Sequence, residues 1–372
     1  MITLNNAYDY AIKKIEHNVS LLGASFPHVT ICEDNTKYND EKPQFWTGGF
    51  WGGLLWLLYN ETQDIKALET AIEIETKQDE LFDEFLSLHH DVGFMWLPTA
   101  VEHYKKTGCK KSFVRGLKAA SVLASRFNLN GRFIRAWNND IREDSEGWAI
   151  IDCMMNLSLL YWASKETKDP RFKQIATAHA DTVLKSFVRP NFTVPHIVEF
   201  DPITGERLRT GAGQGKSPTS SWSRGQAWAI YGFAISYRET GKKEYFDASL
   251  NIARKFYSSL PEDKVPYWDF DSEPEDRFVR DSSAAAIAAS GMLELALLVE
   301  DEKVKSEVYN MGKSLLQALT DNYAIFDDSC EGLLKNGTVN YARKKHVNVS
   351  IIYGDFYYLE ALAKLQGKVS IF

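Results

Sequence analysis

The sequence has few cysteines, and none of them stands in a metal-binding or disulfide pattern. Four are scattered through the 372 residues, at Cys32, Cys109, Cys153 and Cys330. A zinc site needs closely spaced pairs such as CxxC, and a disulfide scaffold needs many cysteines in a short chain. We therefore expect neither a metal site nor a disulfide framework, and we predict that the thiols are reduced and buried.

Long apolar runs and clusters of one charge are also absent. No stretch approaches the roughly 20 apolar residues of a membrane span, and the opening residues MITLNNAYDYAIKKIEHN lack the apolar core of a signal peptide. The net charge of -7 comes without a basic run, which argues against a nucleic-acid partner. The composition predicts a soluble, cytoplasmic protein, and we expect a monomer or a weak homodimer.

Helical periodicity runs along nearly the whole chain, whereas strand-like alternation is confined to short connections. About twelve segments have apolar residues at i, i+3, i+4 and i+7, and 44% of all residues are hydrophobic, enough for a large core. Five junctions between these segments share a polar pattern: YNETQDIKALE, YKKTGCKKSF, SKETKDPRF, YRETGKKEYF and LVEDEKVKS. The repeats predict helical hairpins.

The two helices of each hairpin differ in polarity. The segment before a junction, such as GWAIIDCMMNLSLLYWAS, is apolar nearly all round, which is typical of a buried helix, and the segment after it has a polar face. The two terminal helices form the sixth pair. We predict an all-α fold, an (α/α)6 barrel in which residues 1–372 form a single catalytic domain. An open helical solenoid shares this pattern.

In a closed barrel the N-terminal ends of the inner helices meet at one mouth. Two inserts with strand-like pieces, residues 132–140 and 193–207, are expected to form loops or hairpins over it. Several of the 10 Trp residues stand beside Gly, His or Asp at the starts of inner segments. Flat aromatic walls beside polar groups suit sugar rings, although core packing explains most aromatic residues.

Two aspartates at inner-helix starts are the candidates for chemistry. Asp91 in HHDVGF is either a functional acid or a helix cap. Asp152 in WAIIDCMMNL lies among apolar residues, where ionisation is penalised, unless an arginine or a backbone cap satisfies it. A facing pair would supply a proton donor and a charge stabiliser for glycosidic chemistry. The adjacent His89 and His90 do not form a metal site by themselves.

Three further positions each allow two interpretations. His196 in TVPHIVEF is either a stacked histidine or a substrate ligand. Arg224 and Trp228 share a helix face and suit a carboxylate and a sugar ring, or Arg224 pairs with the catalytic acids or caps a neighbouring helix. The GAGQG loop presents Gln214 and differs from a phosphate loop, because no strand precedes it and no Lys-Ser or Lys-Thr ends it.

Several motifs resemble those of unsaturated glucuronyl hydrolases of glycoside hydrolase family 88, in the same order and spacing along nearly the full chain. They are FWTGGFW (45–51), HHDVGF (89–94), WAIIDCMMNL (148–157), PHIVEF (195–200) and SSWSRGQAWAIYGFA (220–234). The resemblance implies an (α/α)6 barrel without metal or organic cofactor. It also implies hydration of the 4,5-unsaturated uronic acid that polysaccharide lyases leave at the non-reducing end of their products.

The resemblance also assigns roles. Asp152 would protonate C4 of the double bond and then act as general base for water adding at C5, and Asp91 matches the second essential aspartate. His196 and Gln214 match residues near the reacting ring. The residues that match the uronate pocket are Trp46, His90, Phe94, Trp137, Arg224 and Trp228.

The sequence leaves the choice of glycan open. In this family residues 336–350 border the subsite next to the uronate, and the cluster Arg343, Lys344, Lys345 either meets a sulfate there or only solvates a loop. Glycosaminoglycan, gellan and xanthan fragments are all candidate substrates.

Three alternative functions remain. An unsaturated rhamnogalacturonyl hydrolase would accept pectin fragments, although HHD and SWSRGQAW favour the glucuronyl type. A sugar epimerase or isomerase on a similar toroid would use His90 and His196 as its catalytic pair. A non-enzymatic scaffold leaves Asp152 unexplained.

Overall fold

The structure is a computed structural model that describes residues 2–31, 35–368 and 370–372. The helices are α1 (Leu4–Leu22), α2 (Phe50–Thr62), α3 (Ile65–Lys77), α4 (Leu81–Glu84), α5 (Val92–Trp96), α6 (Glu102–Thr107), α7 (Lys110–Ser125), α8 (Cys153–Thr167), α9 (Pro170–Phe187), α10 (Ser223–Thr240), α11 (Lys243–Ser258), α12 (Ser282–Leu298), α13 (Glu302–Asn322) and α14 (Ile352–Leu365). The strands are β1 (Pro27–Ile31), β2 (Lys37–Asp40), β3 (Phe127–Asn128), β4 (Phe133–Ile134), β5 (Trp148–Ile150), β6 (Ile197–Phe200) and β7 (Arg207–Gly211).

The helices form a closed double ring. A π-helical turn, Leu97–Val101, joins α5 to α6 in one continuous element. The inner ring consists of α2, α5–α6, α8, α10, α12 and α14, and the outer ring of α1, α3, α7, α9, α11 and α13. Helix α14 contacts both α12 and α2, and α1 packs on α14. This contact closes the ring, so the predicted (α/α)6 barrel is confirmed and the open solenoid is excluded.

Burial follows the predicted difference between inner and outer helices. Every residue of α10 from Ser223 to Ser236 is buried. In α11 one face is buried and the remaining residues are exposed or half-buried. The buried residues are Tyr245, Ala248, Ser249, Leu250, Ile252, Ala253 and Phe256. The inner helices thus contact protein on all sides, as apolar helices must.

A threonine ends four of the inner helices, which accounts for the polar pattern at four of the five junctions. Each threonine hydroxyl donates to the carbonyl four residues earlier and accepts the N–H two residues later at 3.2 Å. These threonines are Thr62, Thr107, Thr167 and Thr240. The residue after each has a left-handed backbone, which stops the helix and turns the chain toward its outer partner.

Short sheets cover one end of the ring. Strands β5, β6 and β7 form an antiparallel sheet in which Ile150 pairs with Ile197. The insert at 193–207 is therefore a strand-bearing loop, as predicted, whereas the insert at 132–140 contributes only β4. The sheet places the chain before α8 beside the chain before β6, because the N–H of Ile151 donates to the carbonyl of His196 at 3.1 Å.

Three of the four cysteines lie in the described ranges, and within those ranges all three are free thiols. Cys153 and Cys330 are buried, as predicted. The prediction of burial is wrong for Cys109, which is half-buried because it lies at the exposed start of α7. Cys32 lies outside the described residues. Of the helices that the structure describes, none is both long and apolar enough to cross a membrane.

A buried carboxylate connects α14 to two other segments. Asp355 accepts hydrogen bonds from the Tyr38 hydroxyl at 2.6 Å and from the backbone N–H groups of Leu333 at 2.7 Å and Leu334 at 2.9 Å. Burial raises the pKa of Asp355 to about 6. Three hydrogen-bond donors from two distant segments of the chain are therefore satisfied by one carboxylate.

Replacing this side chain should destabilise the fold in proportion to the donors left unpaired. We expect Asp355→Ala to lower the free energy of unfolding by on the order of 3 kcal/mol, and Tyr38→Phe, which removes one donor, by about 1 kcal/mol. Urea denaturation followed by circular dichroism measures both. Equal effects of the two variants would contradict the proposed dependence on this acceptor.

Candidate active site

The covered end of the barrel holds a cavity of about 530 Å³ that contains both candidate aspartates. Its lining residues are Glu41, Lys42, Gln44, Phe45, Trp46, Ser87, His89, Asp91, Trp137, Asp140, Ile141, Ile150, Asp152 and Gln214. A smaller cavity of about 210 Å³ adjoins it, shares Trp137, Ile141 and Gln214, and reaches His196 and Arg343. The loops before several inner helices thus meet at one mouth, as the barrel predicts.

Asp152 and His196 face each other where β5 and β6 pair. The Nδ1 atom of His196 accepts the backbone N–H of Gln214 at 2.8 Å, so a neutral His196 carries its proton on Nε2. That Nε2 atom lies 3.4 Å from Asp152 Oδ2. Within the described part of the chain, neither atom has the geometry of a formed hydrogen bond. Unsatisfied buried polar atoms beside a cavity are typical of a ligand site.

Asp91 lies immediately before α5 and is also buried. Its Oδ2 atom lies 3.4 Å from both His89 Nδ1 and His90 Nε2, and its Oδ1 atom accepts from the Asn156 amide at 3.3 Å. Burial, and after it the negative charge of Asp152, raise the pKa of Asp91 well above its usual value. Burial also lowers the pKa of His89 to about 3 and that of His90 well below its usual value. Electrostatics therefore favour a protonated Asp91 beside neutral histidines.

Asn156 is a site residue that the sequence analysis did not identify. Its carbonyl oxygen accepts the N–H of Phe94 at 2.8 Å while its amide donates to Asp91. Gly93 makes this approach possible, because a Cβ at that position would lie 2.5 Å from Asn156 Oδ1. The available clue was a second polar residue in the apolar run of α8, one helical turn after Asp152.

The predicted aromatic residues divide into two groups. Trp46 and Trp137 line the cavity. Phe94 and Trp228 are fully buried and pack against each other with ring centroids 5.2 Å apart. Phe94 also contacts Trp46 at 5.5 Å, so this pair supports the wall from behind. His90 is likewise fully buried behind the cavity.

Arg224 is fully buried, and its guanidinium group holds several parts of the site together. It pairs with Asp281, donates to Gln214 Oε1 at 2.8 Å, and donates to the carbonyls of Thr338 and Val339 at 2.6 Å each. The sequence allowed an ion pair between Arg224 and the catalytic acids. The structure shows an ion pair, but its partner is Asp281, which is outside the Asp91–Asp152 pair. The uronate-binding role implied by the resemblance stays a prediction.

Three other cationic side chains line the two cavities, and only one of them was predicted from the sequence. Lys42 lines the larger cavity, and Arg142 and Arg343 line the smaller one. Lys344 instead lies over the ring of Tyr341, 3.2 Å from its centroid. Of the basic cluster, Arg343 alone lines either of these two cavities.

An acid pair with aromatic walls in the mouth of an (α/α)6 barrel provides what glycosidic chemistry requires. The profile described as Glycosyl Hydrolase Family 88 matches residues 27–293. The chain belongs to this family. Membership of this family excludes a sugar epimerase and a non-enzymatic scaffold. The scaffold would also have left the apolar setting of Asp152 unexplained.

Named relatives are similar over nearly the full length. The chain is 37% identical over 356 residues to the unsaturated glucuronyl hydrolase of Bacillus sp. (strain GL1), covering 95% of this chain and 94% of that protein. It is 33% identical over 369 residues to the unsaturated chondroitin disaccharide hydrolase of Streptococcus agalactiae serotype III (strain NEM316), covering 98% and 91%. The crystal structure of the Bacillus sp. GL1 enzyme matches with a TM-score of 0.93, 36% identity and coverage of 98% and 97%.

The raised pKa of Asp91 predicts a pH-dependent effect on stability. The folded protein holds this proton more tightly than the unfolded chain does, in which the pKa is about 3.9, so this group lowers the wild-type free energy of unfolding as pH rises. Asp91→Asn has no proton to lose. Relative to wild type it should gain stability as the pH rises above about 4, as measured by urea denaturation at a series of pH values. A constant difference across these pH values would contradict the prediction, and Asp328→Asn, on the surface, is the matched control.

The close approach of Gly213 to His196 predicts an effect on activity. Gly213 has φ +58°, and a Cβ there would lie 2.0 Å from His196 Nδ1. Gly213→Ala should displace the Gln214–His196 contact and lower kcat/KM by about 100-fold. Gly241→Ala is the control, because it has φ +72° with nothing within 4 Å, so it carries the backbone strain without the clash. Equal losses in both variants would show that strain alone is responsible.

Proposed function

We propose that this chain releases 4,5-unsaturated glucuronic acid from the non-reducing end of lyase-generated oligosaccharides. The observation that carries the proposal is the unsatisfied Asp152 carboxylate facing His196 beside a cavity with aromatic walls. Two named relatives, an unsaturated glucuronyl hydrolase and an unsaturated chondroitin disaccharide hydrolase, support the same substrate class. Glycosaminoglycan fragments are the first candidates, followed by gellan and xanthan fragments.

The chemistry we propose is hydration of a vinyl ether. Protonation of C4 places positive charge on C5, which the ring oxygen stabilises, and water then adds at C5. The resulting hemiketal opens to a ketone, which leaves a hemiacetal at C1 that expels the remaining sugar. The sequence consumes one water and needs only a proton donor and a base. We therefore expect no metal or organic cofactor to take part.

We assign the proton transfer to C4 and the activation of water to Asp152, with Asp91 as its electrostatic partner. Two nearby carboxylates resist losing both protons, so the pair retains one. In the ligand-free site burial favours that proton on Asp91. An incoming uronate adds a third negative charge to the same cavity, which further disfavours loss of this last proton. We propose that in the substrate complex the proton resides on Asp152, from which it passes to C4.

The remaining predicted residues would bind and position the sugar. Trp46 and Trp137 offer flat walls, and Gln214 and His196 offer polar groups at the edge of the ring. Arg224 orients Gln214 through the contact described above. Behind these residues His90, Phe94 and Trp228 would act as support for the pocket.

We further propose that residues 1–372 act as one catalytic domain in the cytoplasm, as a monomer or a weak homodimer. The shared double ring supports a single domain, and the free thiols in the described ranges fit a reducing compartment. Sedimentation analysis of the purified protein measures the oligomeric state.

The direct test is to mix the protein with lyase-generated disaccharides and follow the ultraviolet absorbance of the conjugated uronate. Hydration destroys the conjugation, so we expect the absorbance to fall with chondroitin or hyaluronan disaccharides. Asp152→Asn should abolish turnover but retain substrate binding in calorimetry, whereas Asp9→Asn, on the exposed face of α1, should behave as wild type. An inert protein across glycosaminoglycan, gellan and pectin disaccharides would refute the proposal.

A further inference from the structure

Three metal-binding side chains converge at the edge of the large cavity. His89 Nδ1 and His90 Nε2 each lie 3.4 Å from Asp91 Oδ2. The ligand atoms of the three residues all lie within 4.8 Å of one another. Adjacent residues on a regular helix would face apart, but these precede α5 in a turn that brings both rings toward the carboxylate.

The spacing of these atoms fits a tetrahedral ion. Zinc binds histidine nitrogen and carboxylate oxygen at about 2.0–2.1 Å, so neighbouring ligands of a regular tetrahedron stand about 3.4 Å apart. Both nitrogen–oxygen distances in the cluster have this value. Only the distance between the two histidine nitrogens, which is at most 4.8 Å, would have to change when the ion binds.

The buried ring of His90 gives a second observation that points to a ligand at this cluster. The residue is fully buried, and among the described residues neither of its ring nitrogens has a hydrogen-bond partner. A buried polar side chain without partners is costly and calls for an explanation. His89 Nδ1 is also available, because its one recorded contact, with the N–H of Asp91, is long at 3.4 Å.

The cluster is accessible from the cavity. His89 and Asp91 both line the cavity, and Asp152 lines the same space. An ion held by the three ligands would therefore have its fourth coordination position on the side from which substrate enters. It would also engage Asp91, which we have assigned to the reaction.

We propose that the His89–His90–Asp91 cluster binds one divalent transition ion of the zinc type, and that the ion blocks the active site. Such an ion acts as an inhibitor, which is distinct from a resident cofactor. Binding of the ion stands independently of the reaction proposed above, whereas inhibition rests on that function.

The test measures binding separately from activity. Calorimetric titration of the purified chain with Zn²⁺ should show one tight site, and Co²⁺ in its place should give the visible absorption of a tetrahedral complex. His89→Gln and His90→Gln should each weaken the affinity by more than about tenfold, because even partners outside the first shell contribute about that much. Two variants control for other binding sites: His17→Gln, on the exposed face of α1, and Cys109→Ser, at the half-buried thiol, should both bind as wild type.

The outcomes separate the two proposals. In the disaccharide assay Zn²⁺ should inhibit competitively, and EDTA should restore the rate. If Zn²⁺ binds as described but no unsaturated disaccharide is turned over, the proposed function fails and the metal site stands. If wild type shows no tight Zn²⁺ site, or if only Cys109→Ser loses binding, the metal site is refuted whatever the activity. Thermal unfolding of each variant confirms that a loss of binding does not reflect a loss of fold.

Discussion

The closure of the inner ring imposes the main constraint on this protein. Each inner helix is surrounded by protein, so a charged side chain on it loses water on every side and needs a partner elsewhere in the protein. Arg224 satisfies this requirement with an ion pair to Asp281 and three hydrogen bonds. Lys364, similarly buried, lies 3.0 Å from Glu294 and bonds the Tyr231 hydroxyl at 2.5 Å.

The ionisable side chains at the barrel mouth satisfy this requirement less completely. Asp152 Oδ2, His196 Nε2 and both nitrogens of His90 lack hydrogen-bond partners within the described residues. Each such group lowers the stability of the ligand-free protein by about 1–3 kcal/mol. The ring can carry this cost because its other buried ions are paired, and a bound ligand would recover part of it.

The sequence was sufficient to predict the barrel because the information is local. Helical period, polarity of the outer faces and the repeated threonine junctions each depend on a few neighbouring residues. Asp152 could be identified for the same reason, since its apolar neighbours are adjacent in the chain. The ion pair of Arg224 with Asp281 could not, because it joins residues 57 positions apart. Asn156 and Lys42 were missed likewise, because their roles depend on contacts with α5 and on the shape of the mouth.

Asp91 and Asp152 occupy equivalent places, each immediately before an inner helix, yet their surroundings make them unequal. Neither side chain caps its helix, so both carboxylates remain available for chemistry. Asp152 Oδ2 lies 3.4 Å from His196 Nε2, whereas Asp91 lies beside two histidines whose pKa is lowered by burial, and burial raises the pKa of Asp91 itself. The resting site therefore keeps a proton within the acid pair. A substrate that must be protonated, and that brings its own negative charge, is the kind of ligand for which this retained proton is useful.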